Sequence, residues 1–169
     1  MSPPWSRPLE VGRLADSGAD VDFAVSLAEL PGLRSLQGGV SGSVSGRVHF
    51  TRERGVAVAE LRLRGEAMLE CQRCLRPLEL PLDVSVRVAL ADTEAELERM
   101  PPDLEPMLAP GGRLSVGQLL TEELLLTLPI VPRHARGEAC ASKEAPPAQA
   151  GQAGDTQKPF AHLAELMKR

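Results

Sequence analysis

Tyrosine is absent from this chain, tryptophan occurs once, and aromatic residues make up 2% of its 169 positions. Single-strand nucleic-acid binding on stacked rings needs several exposed aromatic platforms, so that mode is disfavoured. Lysine is scarce as well, and with 19 basic against 23 acidic residues the formal charge is −4, which gives no overall attraction to nucleic acid or to an anionic membrane. No apolar run approaches the length of a membrane span. The opening residues, "MSPPWSRPL", carry adjacent prolines in place of the apolar stretch of a secretory leader. Three cysteines are too few, and odd in number, for a disulfide framework. These absences together lead to the expectation of a cytoplasmic protein with neither a membrane nor a small-molecule substrate as partner.

What is present is aliphatic. Hydrophobic residues reach 43%, enough for one core, and the length suits one domain with a tail. "VDFAVSL" (21–27) alternates apolar and polar residues as a half-buried strand does. "GVSGSVSGRVHF" (39–50) repeats the pattern on Val40, Val44, Val48 and Phe50, with Gly42 and Gly46 interrupting the same face. Glycines so placed predict a bent strand or a close approach of backbones. "TRERG" (51–55) reads as a polar hairpin loop. In the returning strand Val56 and Val58 are out of phase with Leu61, Leu63, Ala67 and Leu69, the slip that a β-bulge near Ala59–Glu60 would produce. "LPLDVSVRVAL" (80–90) alternates without error, which predicts one apolar face made of Leu82, Val84, Val86 and Val88.

Residues 91–112 form an acidic, proline-rich insertion, read as a solvated excursion. "LSVGQLLTEELLLTLP" (114–129) is the best helix: Ser115 and Gln118 are spaced as a capping box, leucines follow at helical intervals, and Pro129 ends it. Residues 141–157, rich in Ala, Gly, Pro and Gln, read as a flexible linker. Residues 158–169 follow as a short amphipathic docking helix bearing Phe160, Leu163, Leu166 and Met167. The expected organisation is thus an N-terminal extension (1–18), one domain (19–140), the linker and the docking helix. The expected fold class is α+β, an antiparallel β-sheet or partly open β-barrel with a packed leucine-rich helix and a short C-terminal helix.

"LECQRCLRPLEL" (69–80) sets a CxxC pair between two strand patterns. Redox pairs of this spacing lie at a helix N-terminus that lowers a thiol pKa, and a strand-flanked pair followed by Pro77 does not fit. A metal would need two further ligands, and His134 and Cys140 can supply them, which makes Cys71, Cys74, His134 and Cys140 a candidate zinc set. The preferred reading is that the cysteines are small buried groups shaping a hairpin, with no cofactor and zinc as the alternative. No nucleophile elbow, phosphate loop or carboxylate pair stands out, so an enzyme is not expected.

"ECQRCLRPLELPLDVSVRV" resembles the signature of the YceD family, the large ribosomal RNA subunit accumulation proteins. "LSVGQLLTEELLLTLPIVPRH" is similar to that family's second block and "KPFAHLAEL" to its usual ending, so the likeness extends over roughly residues 20–169. The matched positions are Cys71, Arg73, Cys74, Leu75 and Pro77, then Leu124, Leu128, Pro129, Pro132, His134 and Cys140. Some relatives carry a fuller cysteine cluster where this chain has Cys140 alone. The resemblance implies a non-enzymatic ribosome-biogenesis factor supporting accumulation or processing of large-subunit ribosomal RNA. Its partner would be the pre-ribosomal large-subunit particle, through RNA, ribosomal or assembly proteins. A zinc- or thiol-based regulatory binding module is the alternative. Candidate contact residues are Arg62 and Arg64 on one strand face and Arg73 and Arg76 around the cysteine turn, beside Cys71 and Cys74. Glu60, Glu66, Glu70, Glu79 and Asp83 lie among them, which also allows a charge-balanced solvated face.

Overall fold

A computed structural model describes residues 3–36, 39–100, 102–135 and 140. The linker and docking helix expected over 141–169 lie outside the described residues. In chain order the elements are β1 (Leu9–Glu10), α1 (Val11–Ser17), β2 (Asp20–Ser26), α2 (Pro31–Arg34), β3 (Ser41–Glu53), β4 (Val56–Glu70), β5 (Pro77–Ala91), α3 (Glu94–Leu97), β6 (Glu105–Leu108), β7 (Arg113–Leu114) and α4 (Val116–Thr127). Strands β2 to β6 form a five-stranded sheet in sequence order, antiparallel except that β6 joins β5 in parallel, while β1 and β7 pair as a small second sheet. The fold is α+β, and among the described residues the sheet stays open: β2 and β6 are its edges and no closed barrel forms.

The hairpin β3–β4 turns on Arg54 and Gly55, both with positive φ, so the loop is tighter than the five residues the sequence suggested. Its register runs without interruption from Glu53 opposite Val56 to Ser41 opposite Met68. No bulge occurs near Ala59–Glu60, and that expectation is corrected. The apparent slip has another cause. The odd-numbered residues of β4, including Ala59, Leu61, Leu63, Ala67 and Leu69, all face the main core, whereas Val58 points to the opposite side. There it is 1% exposed, in a second cluster with Ala89 and Leu104, against which Val56 and Met100 pack. One end of the sheet is therefore covered on both faces, and the alternation of a half-buried strand gives way to a continuous apolar run.

The cover comes from the acidic insertion, which is not simply a solvated excursion. Thr93 caps α3 by accepting from the Glu96 N–H, β6 pairs with Val88–Ala91, and Leu104 and Ala109 are buried. Acidic content concealed these few apolar residues. The N-terminal residues likewise are not an extension outside the domain. Val11 and Ala15 on α1 are core residues, and the ring of Trp5 lies against Gly117 of α4. Val11, Leu14 and Ala15 recur at helical spacing over only two turns, too short a stretch to read as amphipathic.

The main core contains the expected faces: Phe23 and Val25 of β2, Val44, Val48 and Phe50 of β3, and Leu82 and Val88 of β5. Val84 and Val86 are only partly buried at its margin. Helix α4 starts at the capping box formed by Ser115 and Gln118 and buries Val116, Leu119, Leu120 and Leu124 in the same cluster. Gly42 and Gly46 do allow a close approach. A side chain at Gly46 would overlap the Arg62 carbonyl and lie 2.8 Å from the Leu63 Cα. No helix among the described residues is long and apolar enough to cross a membrane.

Candidate metal centre

The β4–β5 connection, Cys71 to Arg76, is shaped by its own backbone. The Cys71 N–H donates to the Arg76 carbonyl at 3.0 Å, closing the loop, and the Leu75 N–H donates to the Cys71 carbonyl at 2.8 Å. Leu75 sits in the left-handed region at φ 58°, which turns the chain back into β5. This arrangement buries Cys71 completely and leaves Cys74 partly exposed. The CxxC pair thus occupies a hairpin turn and not a helix N-terminus.

The second half arrives from the far end of α4. Pro129 follows the last turn of the helix, and the chain then crosses to the hairpin, where the Gln72 N–H donates to the Pro132 carbonyl at 2.8 Å. Two residues later His134 enters the loop. Its Nε2 lies 3.0 Å from the Pro77 carbonyl oxygen, which can only accept, so Nε2 carries the proton and Nδ1 is the free lone pair of the neutral ring. Nδ1 points at the thiols, 3.5 Å from Cys74 Sγ and 3.3 Å from Cys140 Sγ, while Cys71 and Cys140 stand sulfur to sulfur at 3.5 Å. The four potential ligand atoms all fall within 4.8 Å of one another. The structure therefore brings together all four residues of the sequence-derived zinc set.

The electrostatics of the cluster favour thiolates at Cys71 and Cys74 but not at Cys140. Burial by itself pushes the Cys71 thiol up, but donation from the backbone at Arg73, His134 and Cys74, with the Cys140 thiol, brings it down to about 5. Cys74 is also lowered: burial opposes ionisation, and the Arg76 backbone, the Cys140 thiol and the Arg76 side chain outweigh it. Burial holds Cys140 above the ordinary thiol range in spite of the adjacent Arg73 guanidinium. His134 is raised, first by its contact with Cys71. Arg73 acts on Cys140 and Arg76 on Cys74, each favouring the ionised thiol.

Arg62 and Arg64 have different surroundings. Arg62 pairs with Glu60 at 2.5 Å and Arg64 with Asp83 at 3.3 Å, and the same sheet carries pairs of Arg47 with Asp22 and Arg87 with Glu53. The contacts that sequence reasoning missed are the Pro77 and Pro132 carbonyls. Both are backbone acceptors, which no side-chain motif marks.

The family model described as "Large ribosomal RNA subunit accumulation protein YceD" matches residues 59–167, more than half of the chain. No solved structure matches it. The chain belongs to the YceD family.

Proposed function

We propose that this YceD-family chain is a non-enzymatic ribosome-biogenesis factor that sustains large-subunit ribosomal RNA by binding the pre-ribosomal large-subunit particle mainly through protein contacts. Family membership over residues 59–167 is the observation that carries the ribosomal part of this reading. The mode of contact is argued from charge. Phosphate recognition relies on a field of unneutralised cations, and here Arg47, Arg62, Arg64 and Arg87 on the sheet each have a carboxylate partner. The end of the molecule that carries the cysteine turn is apolar instead. Ile130 is 99% exposed, and Leu75, Leu125, Leu126 and Val131 are exposed too. Arg73 and Arg76, exposed on either side of Leu75 in the cysteine turn, would add hydrogen bonds to such a contact.

Depletion of the protein in cells should lower large-subunit ribosomal RNA relative to small-subunit RNA, and the protein should co-sediment with large-subunit precursors. An unchanged RNA ratio with no co-sedimentation would overturn the ribosomal role. The salt dependence of co-sedimentation tests the mode separately. A shallow dependence is expected for protein contacts, whereas a slope corresponding to six or more phosphates, roughly 10³-fold or greater loss of affinity between 50 and 200 mM salt, would assign the contact to RNA.

A further inference from the structure

We propose that Cys71, Cys74, His134 and Cys140 bind one zinc ion in a closed tetrahedral site that fastens the chain after α4 to the β4–β5 hairpin. The inference is independent of the ribosomal reading and starts from the distances. Zinc holds sulfur at about 2.3 Å and imidazole nitrogen at about 2.0–2.1 Å, so a tetrahedron has edges of about 3.8 Å between sulfurs and about 3.6 Å between sulfur and nitrogen. The Cys71–Cys140, Cys74–His134 and His134–Cys140 separations are 3.5, 3.5 and 3.3 Å, and no pair of donor atoms exceeds 4.8 Å. Around an ion these three pairs need open by only a few tenths of an ångström, and the longest pair need close by about 1 Å.

The donor chemistry selects the metal class. Three thiols and an imidazole suit zinc and disfavour magnesium, calcium and manganese, which take oxygen ligands. Four protein ligands leave no open position, the mark of a structural site and not of a catalytic one. The surroundings supply what such a site needs besides ligands. Nε2 of His134 donates to the Pro77 carbonyl, which orients the ring with Nδ1 toward the ion. Three thiolates around Zn²⁺ leave one net negative charge, and the cationic Arg73 and Arg76, neighbours of Cys74 in the turn, would offset it. That gives these two arginines a place in the structure whatever they do on a partner.

The site joins points 69 residues apart in the chain, Cys71 and Cys140. Among the described residues, the segment after Leu128 is tied back to the hairpin by little else: the Gln72–Pro132 and His134–Pro77 hydrogen bonds. The rival outcome at the same residues is a Cys71–Cys140 disulfide, which would remove two thiol hydrogens and preclude the metal.

The test uses the full chain, purified without added metal, and the sample for alkylation is taken before any reductant is introduced. Elemental analysis should find about one zinc per chain, and intact mass after thiol alkylation in denaturant with chelator should count three free thiols. Cobalt(II) exchanged into the site should give the intense visible bands of tetrahedral coordination together with thiolate-to-cobalt charge transfer. Cys140→Ser should weaken zinc binding by on the order of a hundredfold or more, at least as much as loss of an outer-shell partner. His134→Cys should retain tetrahedral cobalt bands with stronger charge transfer, which tests the ligand set in a variant that keeps four donors. His49→Gln, on the β2–β3 pair, should leave binding unchanged. Absence of zinc with no uptake of added ZnCl₂ would overturn the proposal, and so would two alkylated thiols missing. Parent affinity in both Cys140→Ser and His134→Gln would overturn the assignment of these ligands.

Discussion

Leu104→Ala tests whether the acidic segment covers the second face of the sheet. Leu104 is 7% exposed and contacts a cluster whose other buried members are Val58, at 1%, and Ala89, at 0%. A buried Leu→Ala replacement costs about 2–5 kcal/mol, and a small cluster at the margin of the molecule can partly collapse, so about 2–3 kcal/mol is expected here. Val58→Ala removes two methylene-sized groups at about 0.8 kcal/mol each. With the residual cavity it should cost about 2 kcal/mol. Both lie within the 5–15 kcal/mol stability of a typical domain, so each single variant should still fold. The assay is urea unfolding of parent, both singles and the double variant, with equal slopes as the condition for comparison. Because the two side chains share one cluster, the double variant should fall short of additivity by about 0.5–1 kcal/mol. A cost for Leu104→Ala below about 0.5 kcal/mol, the usual value for an exposed position, would refute the packing of this segment. Strict additivity would show that Val58 packs elsewhere, as a bulged register would require.

Three further outcomes are expected. Gly46→Val should destabilise by several kcal/mol, since the new side chain would meet the β4 backbone, whereas Gly12→Ala, whose nearest neighbour would be Arg52 Nη2 at 3.7 Å, should be neutral or stabilising by about 0.5–1 kcal/mol; equal thermal shifts in the two would refute the close approach of β3 and β4. Ser115→Ala removes the side-chain acceptor for the Gln118 N–H and should cost about 1 kcal/mol in chemical denaturation, an unchanged midpoint counting against the cap. Glu123 is buried, and burial first, then the charges of Glu105 and Glu122, raise its pKa. A carboxyl raised in the folded state contributes stability below its unfolded pKa and loses it as pH rises through the folded value. Glu123→Gln should accordingly raise the melting temperature at pH 7, with the gain shrinking as pH falls toward the unfolded carboxyl pKa; a gain that does not depend on pH would refute the assignment.

Local patterns carried much of the architecture. The alternation in residues 21–27, 39–50 and 80–90 names β2, β3 and β5 because a strand with one wet face must alternate, and no long-range information is needed to see it. The same is true of α4, where Ser115, Gln118 and the leucine spacing mark both the start of the helix and its buried stripe. The four residues of the cysteine cluster were legible as a set for a chemical reason: the ligand types are rare in this chain, so few combinations exist.

Tertiary structure decided the rest where the cause was non-local. Val56 and Val58 looked like a slipped register because sequence periodicity reports one buried face, and it cannot show that Met100 and Leu104, in the connection between α3 and β6, return to cover the other. Val11 and Ala15 enter the core from a helix too short to display a period. The pairing of Arg64 with Asp83 depends on the register of β4 against β5, and composition could only count the charges. Most of all, the convergence of Cys71 and Cys74 with His134 and Cys140 depends on where the chain goes after α4. Spacing along a chain specifies which side chains can meet only within a turn or two, and across 60 residues the meeting is made by the packed elements between them.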